Sequence, residues 1–338
     1  MMRQTRLLDL EQRPAIEDYL VSCGLLSPED LPIDVSRAGA GNMNLAMRVT
    51  TAGARSLIVK QARPWVEKYP HIPAPFERTL VEAAFYAAVQ GEPSVAARMP
   101  AVLHVDHDTH TLVLEDVGRE GDFTPIYADT SMPAAALTAL LDWLESLARV
   151  ALSPDAHATL ANRAMRVLNH EHIFRFPLDA GNGLDLNAIT AGLDAAAREL
   201  SGDPAYCREV AALGERYLSD GATLVHGDYF PGSWLKDRGS VRIIDPEFCF
   251  PGDPEFDCGV MAAHLLLAQC APAALEAIDA SVGARRLDRS LVARFAGVEI
   301  MRRLIGVAQL PVAYGIDTKR ALLQRSRRLV LDPERGLA

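Results

Sequence analysis

Two acidic triplets, His226-Gly227-Asp228 and Asp245-Pro246-Glu247, stand close together between Leu224 and Asp257. Each follows a short apolar run, Thr223 to Val225 and Val241 to Ile244. Carboxylates grouped in this way suit phosphoryl transfer, in which one acid orients the attacking hydroxyl and others hold the magnesium that neutralises a polyphosphate. Asp228 is the candidate for the first task, Asp245 and Glu247 for the second. The elements that must position them are the two apolar runs, read as strands and expected to pair antiparallel about the turn Lys236-Asp237-Arg238-Gly239. That pairing would set both acid clusters at one edge. Either triplet alone is more often a strand end carrying solvated turn acids; their order and spacing together favour chemistry.

In the protein-kinase pattern the aspartate of His-Arg-Asp is followed five residues on by a metal-binding asparagine, and then by Asp-Phe-Gly. Here Ser233 holds the fifth position, which makes it a third candidate metal ligand, and Asp-Pro-Glu stands where Asp-Phe-Gly would be. Upstream, strands Ile33 to Ala38 and Leu45 to Thr50 flank Gly39-Ala40-Gly41-Asn42-Met43-Asn44. Alone, this is an ordinary hairpin turn, yet a glycine-rich turn can also lay backbone N–H groups over phosphates. Gly39, Gly41, Asn42 and Asn44 are the candidates there. A further strand, Ser56 to Lys60, ends at a lone lysine. Kinase chemistry needs such a lysine for the α- and β-phosphates and a glutamate on the following helix to hold it. Lys60 fits the first role and Glu82, on the helical run Arg78 to Gln90, the second, with Glu77 as the fallback. Between them Arg63 to Pro75, rich in proline and aromatics, reads as a loop that could close as a lid. After strands Met99 to Val105 and Thr111 to Leu114, the polar link Glu115-Asp116-Val117-Gly118 offers the backbone groups of Glu115 and Val117 to an adenine edge.

Strands dominate up to Gly118 and helices after it. The expected organisation is an α+β fold of two lobes. Residues 1–118 form a nucleotide-binding lobe, an antiparallel sheet plus a helix with its hinge at 115–118. Residues 119–338 form a mostly helical lobe carrying the catalytic, metal and acceptor sites. Its helices are read as Met132 to Leu152, His157 to Phe174, Asp185 to Leu200, Pro204 to Ser219, Phe256 to Cys270, Pro272 to Ser281, Ser290 to Gln309 and Thr318 to Val330, with Trp143 and Trp234 in the core. At 338 residues and 49% apolar composition, the chain can bury two cores. A net charge of −10 with scattered basic residues argues against nucleic-acid and anionic-membrane partners. No signal peptide or apolar run of membrane-spanning length is legible. Five cysteines without CxxC spacing fit reduced thiols in a cytoplasmic protein. Apart from His226, the histidines named in the pattern, among them His172 and His264, read as surface or core residues.

Taken together, Gly39 to Asn44, Lys60, Glu82, Glu115-Asp116, His226-Gly227-Asp228, Ser233 and Asp245-Pro246-Glu247 resemble the aminoglycoside phosphotransferase and choline kinase superfamily. Within it the chain is similar to the bacterial methylthioribose kinases. The narrower likeness lies in Gly41-Asn42-Met43-Asn44 leading to Arg48-Val49, in Val59-Lys60-Gln61-Ala62-Arg63-Pro64, in Pro231-Gly232-Ser233 and in Met301-Arg302-Arg303-Leu304-Ile305-Gly306. The resemblance implies a two-lobed, protein-kinase-like fold, ATP and Mg2+ as cofactors, and a ribose hydroxyl, that of 5-methylthioribose in methionine salvage, as acceptor. It makes Asp228 the residue that aligns the hydroxyl, Asp245 and Glu247 the metal ligands, and Arg302 and Arg303 contacts to the sugar and the transferring phosphoryl group. Adjacent helical residues point about 100° apart, so both arginines serve one site only if their side chains converge; otherwise one is a solvated helix arginine. Residues 119–130 and 229–231 depart from the family's pattern and leave other acceptors open, such as an aminoglycoside, choline or another sugar. A catalytically inactive nucleotide-binding protein is the reading from another class, against which the joint presence of Lys60, Asp228 and Asp245 counts. Similar kinases form symmetric dimers, so a homodimer is the assembly the resemblance admits.

Overall fold

The computed structural model describes residues 7–39, 41, 43–118, 120–310 and 312–337; Ala40 and Asn42 of the glycine turn lie outside them. Helix α1 (Arg13–Ser22) is followed by strands β1 (Asp34–Arg37), β2 (Leu45–Thr50), β3 (Ser56–Gln61), β4 (Trp65–Val66) and β5 (Tyr69–Pro73), helix α2 (Arg78–Ala88), and strands β6 (Val102–Asp106) and β7 (Thr111–Glu115). Five strands make one sheet in the order β1-β2-β3-β7-β6, antiparallel throughout. The segment read as a lid loop contains the β4–β5 hairpin.

Strand alternation decides what each face carries. Leu57 and Val59 of β3 join Ile16 and Leu20 of α1, Met47, Val49 and Val113 in one apolar cluster. Ile58 and Lys60 therefore point to the other face, where Phe85 and Tyr86 of α2 pack with Leu112 and Leu114. A single lysine at the end of an apolar strand is thus aimed at α2 by pleat geometry alone.

The chain after β7 is mainly helical. Helices Ala134–Leu147, Pro204–Leu218, Glu255–Leu267, Arg289–Ile305 and Ile316–Leu331 enclose the larger core, with Trp143 and Trp234 fully buried. Every residue of Glu255–Leu267 is buried, as expected for a helix apolar on all sides. Among the described residues no helix is long and apolar enough to cross a membrane. Two helices expected to be continuous are broken by left-handed residues, which cannot propagate a right-handed helix. The run His157 to Phe174 divides at Asn162 (φ 47°) and ends in a π turn, Glu171–Arg175; the run Asp185 to Leu200 divides at Gly192 (φ 86°).

The expected pairing of the two motif-bearing strands is corrected by the structure. Strand β8 (Thr223–Val225) pairs with β11 (Phe250–Gly252), whereas β9 (Trp234–Asp237) pairs with β10 (Ser240–Ile243). The physical reason is the turn. Arg238 (φ 49°) and Gly239 (φ 80°) are both left-handed, the two-residue turn whose twist matches the strands directly beside it. The hairpin therefore closes on the Trp234 run immediately before the turn, which the motif reading passed over.

Candidate active site

Lys60 reaches two acids at once. Its Nζ donates to Glu82 Oε2 at 2.6 Å and to Asp245 Oδ1 at 2.5 Å. Burial pulls the ammonium pKa down, but Asp245 and Glu82 override it and hold Lys60 well above the ordinary lysine range. Asp245 adopts a left-handed conformation (φ 68°), the kind of backbone strain that concentrates at functional sites.

Glu247, almost fully buried, accepts a hydrogen bond from Asn44 Nδ2 at 2.8 Å. Asn44 Oδ1 in turn accepts from Arg78 Nε at 2.7 Å. The Asn44 side chain thus braces Glu247, which leaves the backbone of the glycine turn as the part that could face phosphates. The Arg78 side chain has no exposure, and its remaining N–H groups donate to the carbonyls of Met43, Arg63, Trp65 and Pro75. One guanidinium thereby ties the glycine turn, the β4–β5 hairpin and Glu247 together. Gly39 (φ 71°) has open space where a Cβ would stand, as has Gly41.

Burial, and next the charge of Asp245, push the Glu247 carboxyl up to about 8. Two carboxylates held in mutual repulsion are a hard-oxygen donor set short of positive charge, and that fits Mg2+. Among the described residues no cluster of three or more metal-ligating side chains occurs. Mg2+ needs no such cluster, since it takes one or two carboxylates and completes its shell with phosphates and water. Ser233 Oγ donates to Asp228 O at 3.0 Å, so its proton braces the acidic loop.

The loop bearing Asp228 is fixed by groups that motif reading missed. Asp257, buried in the first turn of Glu255–Leu267, accepts from the N–H groups of His226 (2.6 Å) and Gly227 (3.0 Å). Gly227 is left-handed (φ 85°), and a Cβ there would lie 2.0 Å from Phe248 O. The two acidic motifs, carried by different strand pairs, are joined because Ile244 N donates to Ser233 O (3.0 Å) and His226 Nε2 lies 2.9 Å from Ile244 O. Asn162, at the helix break, donates to the carbonyls of Glu247 and Cys249.

Both arginines converge on Asp228. Arg303 Nη2 donates to Asp228 Oδ1 at 2.9 Å and Arg302 Nη1 lies 3.6 Å from the same oxygen. They converge because Glu299, on the same helix, clamps them: Arg302 Nη1 donates to its carboxylate at 3.0 and 3.2 Å and Arg303 Nε at 2.6 Å. The two guanidinium groups hold Glu299 well below the usual carboxylate range despite its burial. The Arg303 guanidinium also lies 4.7 Å above the Phe230 ring. Arg302 Nε has no protein partner among the described residues. The spacing of Glu299 at three and four residues before Arg302 and Arg303 was a legible signal; nothing in the sequence singled out Arg78.

At the interlobe link, Arg48 donates to Asp116 from Nε (2.8 Å) and Nη2 (3.1 Å), and Ser56 Oγ donates to the same carboxylate. Glu115 N donates to Ala101 O. Val117 follows in the extended link, and Gly118 packs so closely on Leu235 that a Cβ would lie 2.4 Å from its Cδ1.

An antiparallel N-terminal sheet over a helical C-terminal part, with this site between them, defines a protein-kinase-like phosphotransferase fold. The structure of a choline/ethanolamine kinase family protein from Mesorhizobium loti matches it with a TM-score of 0.51 and 19% identity over 95% of each chain. Residues 34–289 match the phosphotransferase enzyme family, APH, and the chain belongs to that family. It is similar to the methylthioribose kinase of Exiguobacterium sibiricum, 31% identical over 261 residues, covering 72% of this chain and 63% of that protein. The methylthioribose kinase of Erwinia tasmaniensis is 29% identical over 281 residues, covering 76% and 66%. The chain thus spans slightly under two thirds of the length of these relatives.

Proposed function

We propose that the protein is an ATP- and Mg2+-dependent small-molecule kinase that transfers the γ-phosphate to a hydroxyl of a neutral sugar, with 5-methylthioribose as the acceptor. The observation that carries this reading is the convergence of Arg302 and Arg303 on Asp228, beside a loop tied directly to Asp245. In the proposed reaction Asp228 orients the acceptor hydroxyl and takes its proton as the oxygen bonds to the γ-phosphorus. The bond from that phosphorus to the bridging oxygen breaks, and ADP leaves. Lys60 grips the α- and β-phosphates, steadied by Glu82. Gly39, Gly41, Asn42 and Asn44 belong to the turn over them, and the backbone at Glu115 and Val117 is the proposed adenine contact. Asp245 and Glu247, with Ser233 beside them, would hold Mg2+, which supplies charge neutralisation of the polyphosphate when bound. Arg303, and Arg302 through its unpartnered Nε, offset charge on the transferring group. Most of the rate enhancement then comes from positioning and electrostatics.

The charge balance supports a neutral acceptor over choline or an aminoglycoside, because Asp228 and Glu299 are already matched by two guanidinium groups. Five free cysteines accord with a reducing cytoplasm, the proposed location. ADP release measured with a panel of acceptors tests the reading. Saturation by 5-methylthioribose, lost in Asp228→Asn with ATP still bound, is the expected result. Saturation by choline or kanamycin instead would overturn the acceptor assignment, and turnover of none would overturn the kinase reading.

A further inference from the structure

Behind the two arginines lies a chain of buried polar groups that the proposed reaction does not use. Glu299 Oε1 is 3.2 Å from His264 Nε2, and His264 Nδ1 is 2.6 Å from Tyr127 Oη. His264 belongs to the fully buried helix Glu255–Leu267, and Tyr127 to the short helix Ile126–Asp129 that follows the interlobe link. The direction of each hydrogen bond follows from its neighbour. Glu299 is bound by two guanidinium groups and is a carboxylate, which only accepts. His264 Nε2 must therefore carry a proton and donate it. Burial, with Arg303 close by, pulls the imidazole pKa down to about 4, so the ring is neutral and carries no second proton. Its Nδ1 is then a lone pair, and the Tyr127 hydroxyl must spend its only proton there. What Tyr127 Oη has left is acceptor capacity alone.

The same groups are linked to Asp228 through Phe230 and Arg303. The Phe230 ring lies 5.3 Å from that of His264 and carries the Arg303 guanidinium on its face, and Arg303 is bonded to Asp228. Burial holds the Tyr127 hydroxyl well above the ordinary tyrosine range; Arg303 opposes that shift, and Glu299 and Asp228 add to it. We propose that Tyr127 determines acceptor specificity: its oxygen accepts a hydrogen bond from a second hydroxyl of the sugar, distinct from the one phosphorylated, while His264 and Glu299 are positioning residues that fix its proton elsewhere. The inference rests on the kinase reading and deepens it, naming the acceptor class as a polyol with an O–H directed at Tyr127. A site built in this way rejects an analogue lacking that hydroxyl, because the oriented polar group is left unpaired.

The test is a substrate-by-variant cycle. ADP release is measured for the wild type and Tyr127→Phe with 5-methylthioribose, D-ribose and the monodeoxy derivatives of each, alongside calorimetric affinity for an ATP analogue and a thermal unfolding curve. Tyr127→Phe is expected to lose roughly tenfold to a hundredfold in kcat/KM for the parent sugars, chiefly through KM, with ATP-analogue affinity unchanged and the unfolding midpoint lowered only modestly, because His264 Nδ1 loses its donor. With one monodeoxy derivative the two proteins are expected to agree within about threefold, because the missing hydroxyl is the one Tyr127 receives. His264→Gln, which lets the tyrosine proton reorient, is expected to lose the same discrimination with Tyr127 intact. Equal losses for every acceptor, or no loss for any, would overturn the proposal while leaving the kinase reading in place. Turnover of no acceptor by the wild type would overturn both.

Discussion

Glu299→Gln separates a charge-balanced clamp from a pair of incidental salt bridges. Glutamine keeps the shape of the side chain but offers one acceptor oxygen where the carboxylate takes bonds from Arg302, Arg303 and His264. Its amide N–H groups would point at guanidinium donors. Two buried cations would then share Asp228 alone, and Glu299 is only 2% exposed, so water screens little of the loss. Leaving buried charge uncompensated in this way costs about 3–5 kcal/mol, which in a chain of this length lowers Tm by roughly 4–7 °C. The arginines also lose the anchor that turns both toward one oxygen, so kcat is expected to fall by more than about tenfold. Thermal unfolding followed by circular dichroism reads the first effect and coupled ADP release the second. Adding Arg302→Met, which removes one unmatched cation, should recover part of the stability but not the rate. An unfolding curve within about 1 kcal/mol of wild type, together with an unchanged kcat, would refute the clamp.

Three further outcomes follow from the geometry. Gly227→Ala should destabilise by more than about 3 kcal/mol in urea titration, because the obstructing atom is a backbone carbonyl and φ is left-handed; a loss under about 1 kcal/mol would refute the loop geometry. Lys60→Met should lower kcat/KM for ATP by roughly a hundredfold or more, since it removes the cation between Glu82 and Asp245; a change under about threefold would contradict that role. His264, buried neutral with its pKa lowered to about 4, resists protonation in the fold while the unfolded chain takes a proton near pH 6.5. Its contribution is intact above pH 6.5 and is lost as pH falls toward 4, by about 3 kcal/mol in all. The pH dependence of stability over that window should therefore be shallower in His264→Gln by that amount, and parallel curves would show the imidazole is not held neutral.

What was legible in the sequence follows from what each signal depends on. Lys60 and Glu82 could be read because kinase chemistry asks for a lysine ending a strand and a glutamate on the next helix, and both elements are local signals; strand alternation then sets the face to which Lys60 points. The pairing of the motif-bearing strands could not, since an apolar run does not name its partner and the left-handed Arg238-Gly239 turn selects the nearer one. Helix continuity failed at Asn162 for a similar reason: its left-handed turn is held by hydrogen bonds to Glu247 and Cys249, far along the chain. Arg78 looked like an ordinary first-turn residue, and its burial is set by carbonyls of four separate residues that only the fold brings together.

The two halves of the site differ in charge, and the difference has a chemical meaning. On the side proposed for the nucleotide, Lys60 and Arg78 face Glu82, Asp245 and Glu247, two cations against three acids, with Glu247 driven toward its neutral form by burial and next by the charge of Asp245. On the acceptor side, Arg302 and Arg303 face Asp228 and Glu299, two against two. A cation relieves the first cluster and would be unmatched in the second. Conversely, a neutral polyol can enter the second cluster without leaving either charge alone, provided its hydroxyl groups replace the hydrogen bonds it interrupts. The backbone link from Ser233 to Ile244 couples the halves, so Asp228 and the acids at Asp245 and Glu247 are held by one short stretch of chain. The proposed specificity for an uncharged acceptor would in this sense follow from where Glu299 sits, one helical turn before the arginines it balances.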